Sequence, residues 1–132
     1  MNLLNVCRMP MRWVDLDAYN HLNHAVFFDF MTEARSQLFK YLLNLQGMCQ
    51  FVTAHVECDY KFPYHYPDTI ILKQYFESRS NSSFNLKYEF YSEKNSDVLC
   101  AQAVVRMVAV NPASGRPMRI PAEALALLEK VD

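Results

Sequence analysis

The chain has 132 residues, a formal net charge of −1, 52% hydrophobic and 14% aromatic residues, and only 2 glycines. A chain of this size buries roughly two thirds of its unfolded surface, and by length it is expected to form a single domain. The composition excludes disorder; the lack of a basic block argues against a nucleic-acid platform; and so few glycines argue against glycine-rich phosphate or dinucleotide loops.

Leu4 to Trp13 reads as a first strand, bent or at an edge because of Pro10, which cannot donate to a ladder. Overlapping its end is RWVDLDAYNHLNHAVFFDFMTEAR, Arg12 to Arg35, which opens with strand-like residues. Two carboxylates, Asp15 and Asp17, lead into a polar loop carrying Asn20, His21, Asn23 and His24. From about His24 to Asn44 the apolar residues Phe27, Phe30, Met31, Ala34, Leu38, Tyr41, Leu42 and Leu45 recur in steps of three and four. That spacing predicts a helix on the order of 30 Å long. Asn23 suits its N-cap and Gly47 its stop. Glu33 and Arg35, on this helix, read as a structural ion pair.

Phe51 to Phe62 is a second strand, and PYHYPD (63–68) a turn. Thr69 to Arg79 alternates, with Ile70, Leu72, Gln74 and Phe76 on one face. SRSNSS (78–83) is a turn, followed by Phe84 to Tyr91 with Phe84, Leu86, Tyr88 and Phe90 together. SEKNSD makes the next hairpin turn; Val98 to Val110 is apolar on both faces, which suits a central strand. After the loop NPASGRP (111–117), Pro121 starts a short C-terminal helix. The sum is an α+β fold: one long helix against a curled antiparallel sheet, with a short helix at the end. The pattern does not set the strand order.

Cys7, Cys49, Cys58 and Cys100 form no C-x-x-C pair, so they read as small hydrophobes in a reducing, cytoplasmic setting. No apolar run approaches the roughly 20 residues of a membrane span.

The Arg12–Arg35 stretch resembles the opening motif of hotdog-fold acyl-CoA thioesterases, the 4-hydroxybenzoyl-CoA thioesterase-like family. Asp15-Leu16-Asp17 matches its D-x-D, His21-Leu22-Asn23 its H-V-N, and Glu33-Ala34-Arg35 its E-x-A-R. AHVECDYKFPYHYPD, SRSNSSFNLKYEFY and VNPASGRPMRIP resemble later segments of the family, so the likeness covers nearly the whole chain. Four positions depart: Asn20 stands for a usual glycine, His24 for a common second asparagine, Phe27 for a common tyrosine, and Pro67 for a glycine. Asparagine tolerates positive φ, so the turn at Asn20 survives.

The resemblance implies hydrolysis of an acyl-CoA thioester, with no cofactor or metal. Asp17 would be the nucleophile or general base, and the backbone N–H of His24 the oxyanion donor. Asn23 would cap the helix beside them. His21 and Phe27 would line the substrate, and Lys61, Arg79, Ser82 and Ser83 are candidates for the CoA path. The resemblance further implies a homodimer or homotetramer binding CoA at a subunit interface, with no nucleic-acid or membrane partner. Two other readings stay open: a non-catalytic hotdog protein that binds acyl-CoA or an acyl carrier, and a metal-dependent hydrolase using Asp15, Asp17, His21 and His24.

Overall fold

Alternation of apolar and polar residues in Thr69–Arg79 and Phe84–Tyr91 dictates a sheet with one buried face. The computed structural model describes residues 1–42 and 48–129. In chain order they form β1 (Asn2–Pro10), a 3₁₀ turn (Trp13–Asp15), α1 (Val26–Leu42), β2 (Gln50–Tyr60), β3 (Thr69–Arg79), β4 (Ser83–Ser92), β5 (Leu99–Val110) and α2 (Ala122–Leu128). The strands make one antiparallel five-stranded sheet in the order β1-β3-β4-β5-β2. β1 and β2 are therefore the edges, and β5 is interior, as its two apolar faces require.

The inner face is built from large residues opposite small ones. Tyr88 of β4 pairs with Ala103 of β5, and Phe90 with Ala101. The alanines leave room for the rings beside them, while the backbone of α1 comes closest to β1 and β3. The helix buries Phe27, Phe30, Met31, Ala34 and Leu38, the face that the spacing marks out. Each large apolar side chain so buried contributes about 1.5–3 kcal/mol. Opposite them lie Ile70, Leu72, Phe76, Phe84, Leu86 and Phe90, all buried.

Several boundaries differ from expectation. The first strand ends at Pro10 rather than Trp13, because Asp15 pulls the chain back onto the Arg12 amide at 2.8 Å and makes a 3₁₀ turn. α1 begins at Val26 and has 17 described residues, a length of about 26 Å at 1.5 Å per residue. The expected end at Asn44 and the stop at Gly47 lie outside the described residues. No described helix is long and apolar enough to cross a membrane. Three cysteines are buried, Cys58 is half-buried, and all four are free thiols.

Glu33 and Arg35 are not an ion pair. Arg35 is buried and donates to the Tyr88 hydroxyl at 3.3 Å and to Thr32 Oγ1 at 3.1 Å. The reason is helical geometry: residues two apart point to different sides, so Glu33 stays exposed while Arg35 turns inward. The Tyr88 hydroxyl donates in turn to Gln74 Oε1. Gln74 Nε2 donates to Asn5 Oδ1 at 2.9 Å and to the Ala34 carbonyl at 3.3 Å. This polar chain ties α1 to β1, β3 and β4 from within the core.

Candidate active site

The chain reaches the site through a set of backbone closures. After Pro10, the Met11 N–H donates to the Asp68 carbonyl at 2.9 Å, which ties the exit of β1 to the start of β3. Asp15 is 1% exposed, and its carboxylate accepts from the Arg12 amide at 2.8 Å, from Arg12 Nε at 3.2 Å and from Arg12 Nη2 at 2.7 Å. Its carbonyl accepts from the Asn23 N–H at 2.8 Å. Asp15 thus holds both ends of the loop, buried and with both carboxylate oxygens engaged by Arg12.

Asp17 sits at the head of that loop and is exposed. Its N–H donates to the His21 carbonyl at 2.8 Å. Its Oδ1 accepts from the amides of Tyr19 at 2.8 Å and His21 at 3.1 Å. The reversal needs a left-handed residue, and Asn20 takes it with φ 61°. The Tyr19 amide, then the His21 amide, hold the Asp17 carboxyl below its ordinary range, against a small opposing effect of burial. The His21 and His24 imidazoles act in the same direction. Asp17 is ionised at neutral pH, and its Oδ2 has no partner among the described residues.

Asn23 caps the helix: its Oδ1 accepts from the Ala25 N–H at 3.1 Å, and its carbonyl from the Val26 N–H at 2.9 Å. The N–H of His24, between them, has no acceptor among the described residues. It is a free donor at the positive end of α1, seven residues after Asp17. The loop carrying both is laid against the 61–68 segment. Leu22 N–H donates to the Tyr64 carbonyl at 3.1 Å, and His21 forms a bridge with His65. The two imidazoles meet edge to face, 4.9 Å between centroids.

Under the first turn of α1, Phe27 is 3% exposed and packs on Tyr60 at 4.9 Å, Phe90 at 5.0 Å and Tyr64 at 6.0 Å. These rings fill the space behind the loop. Lys61 is exposed, next to Tyr60, with its N–H on the Cys100 carbonyl at 2.8 Å. A cleft of about 350 Å³ opens nearby between the 62–68 segment and the β4–β5 hairpin, bordered by Phe62, His65, Lys94 and Val98.

Asp17, His21, Asn23, His24 and Phe27 are therefore together, with Lys61 close by in the chain. Arg79, Ser82 and Ser83 are not with them. They lie at the far end of β3, whose 11 residues begin beside the loop, a rise of roughly 33 Å at about 3.3 Å per residue. Arg79 there pairs with Glu129, and the Ser83 hydroxyl meets that of Ser80 at 2.7 Å. Tyr60 and His65 also touch the site; both fall in the AHVECDYKFPYHYPD stretch, but it is their placement beside the loop that marks them as site residues. Among the described residues no set of three or more His, Cys, Asp and Glu side chains converges as metal ligands.

A carboxylate held ionised can act as a base or nucleophile, and an unpartnered helix N-terminal amide can receive charge on a carbonyl oxygen. Residues 11–128 match the family model of the thioesterase-like superfamily, and the chain belongs to that superfamily, with the hotdog arrangement of sheet and central helix. The PA2801 protein from Pseudomonas aeruginosa is 26% identical and superposes with TM-score 0.86 over 95% of this chain and 98% of its own. A thioesterase from Thermus thermophilus, solved with coenzyme A and zinc, is 25% identical with TM-score 0.80, over 94% of this chain and 90% of its own. Slr0204, a 1,4-dihydroxy-2-naphthoyl-CoA thioesterase from Synechocystis, is 17% identical with TM-score 0.84 over 96% of each chain, a likeness of fold alone. No curated protein matches the chain by sequence.

Proposed function

We propose that the protein hydrolyses an acyl-CoA thioester to a carboxylic acid and free CoA. The reading is carried by one closed loop that holds the Asp17 carboxylate ionised and ends in a His24 amide with no acceptor among the described residues. The thioester carbonyl oxygen rests on the His24 N–H. Asp17, through Oδ2, attacks the carbonyl carbon or takes a proton from the water that does. Charge gathers on the oxygen at the helix N-terminus, which needs no reorganisation to receive it. Collapse of the adduct breaks the C–S bond and expels the CoA thiolate, which takes a proton from water or from the protonated Asp17. Where Asp17 is the attacking group, water then hydrolyses the acyl anhydride to the carboxylic acid and restores the carboxylate. His21 supplies the amide and carbonyl that fix Asp17, and Phe27, buried among Tyr60, Tyr64 and Phe90, backs the loop rather than lining the substrate as the resemblance implies.

The CoA path needs a second copy of the chain. Arg79, Ser82 and Ser83 are at the wrong end of β3 to serve their own Asp17, so a role in CoA binding means serving a partner's. β2 is an edge strand with most of its side chains exposed, a template for pairing with another copy. A homodimer, or a pair of dimers, follows. Lys61 lies at the Asp17 end and suits a CoA phosphate. The free thiols fit a cytoplasmic setting. The test is release of free thiol from a panel of acyl-CoAs spanning short, long and aromatic acyl groups. Turnover of at least one is expected. Tight binding of acyl-CoA with no thiol released from any would establish a binding protein instead.

A further inference from the structure

β2 ends at Tyr60, 36 residues from the loop it touches. The Tyr60 hydroxyl donates to the carbonyl of His24 at 3.1 Å. Its ring stands edge-on to the His24 imidazole at 6.4 Å and to Phe27 at 4.9 Å. In a regular helix the His24 carbonyl would accept from the Phe28 N–H, four residues on. Here Phe28 donates to the Ala25 carbonyl instead, at 3.2 Å, and Val26 reaches back only to Asn23, at 2.9 Å. The first turn is wound 3₁₀-fashion, and the His24 carbonyl falls outside the helical ladder. Among the described residues the Tyr60 hydroxyl is its only donor.

The free amide and this carbonyl flank the same Cα. A tie on one restrains rotation about the φ and ψ that aim the other. We infer that Tyr60, a residue of β2 and not of the Asp17 loop, is a positioning residue: it anchors His24 so that the amide proposed as oxyanion donor points steadily out of the helix. The inference rests on the proposed thioesterase reading for its catalytic consequence, though the anchor itself does not. Although Tyr60 is 47% exposed, partial burial and then the neighbouring Cys58 push its phenol up to about 12. The hydroxyl therefore keeps its proton, and its donor role, throughout the neutral range. A β2 edge that pairs with a second copy would bring this anchor under the control of assembly.

Tyr60→Phe removes the hydroxyl and keeps the ring; Tyr60→Leu removes both. Two readouts on each variant decide the matter: backbone ¹⁵N relaxation at His24 in the unliganded protein, and kcat and KM on whichever acyl-CoA the wild type turns over best. In wild type the His24 amide should have an order parameter near 0.85, falling below about 0.6 in Tyr60→Phe. The kcat of Tyr60→Phe should fall about ten- to a hundredfold with KM within about twofold, the pattern of a lost transition-state contact. Tyr60→Leu should be no better than Tyr60→Phe, with unfolding midpoints reported for both. An unchanged order parameter in Tyr60→Phe overturns the anchor. A lowered one with unchanged kcat overturns its part in catalysis. If the wild type releases no thiol, the thioesterase reading fails, and the order parameter alone decides whether Tyr60 holds His24.

Discussion

Asp17 and Asp15 show how two identical side chains, two positions apart, come to differ. Asp15 is buried and engaged with Arg12 through both oxygens, whereas Asp17 is exposed and has an oxygen free. The Asp17 pKa is lowered, so its ionised form is the one the loop favours. The rate should therefore show no Asp17-dependent limb between pH 5 and 8; the acid limb should fall below the usual aspartate value of about 3.9. A limb near pH 5–6 in kcat/KM that disappears in Asp17→Asn would mean the carboxyl is raised instead. For His24 the backbone is expected to matter more than the ring. His24→Asn keeps the amide and should cost less than about tenfold in kcat, while His24→Pro deletes the donor and should cost about 10²–10³. Equal losses in the two variants would assign the chemistry to the imidazole.

At the scale of elements, local chemistry is legible in the sequence and distant pairing is not. Asn20 in a left-handed turn, Asn23 as cap, the buried face of α1 and the inward faces of β3 and β4 each follow from spacing or from one residue's conformational habits. The strand order does not, because it is decided by contacts between segments far apart in the chain. The same holds for Tyr60 and His65, whose roles come from which strand end lies beside the loop. Arg35 departs from expectation for a different reason: proximity in sequence suggests Glu33 as partner, but the helical turn aims the two side chains apart. Its real partner, Tyr88, gives a test at this scale. Tyr88→Phe removes the hydroxyl that links Arg35 to Gln74 and leaves both short of a partner. Unfolding in urea should show a loss of about 1–3 kcal/mol with an unchanged slope. Thioester turnover should persist, since the cluster lies away from Asp17. An unchanged midpoint would mean that water replaces the hydroxyl at no cost.

For the molecule as a whole, the fold places the loop and the 79–83 turn at opposite ends of one strand. Within one chain the two ends stay apart, so the proposed assembly and the proposed CoA path stand or fall together. Light scattering at micromolar concentration should give the mass of two or four chains. A single-chain mass would leave Arg79, Ser82 and Ser83 without a role in CoA binding. The reaction itself is decided most directly by comparing wild type with Asp17→Asn for thiol release from the best acyl-CoA of the panel. The variant should keep its fold and unfolding midpoint and lose at least about 10²-fold in kcat, as expected on removing a general base or nucleophile. Near-normal turnover by a folded Asp17→Asn protein would contradict the assignment of catalysis to this loop.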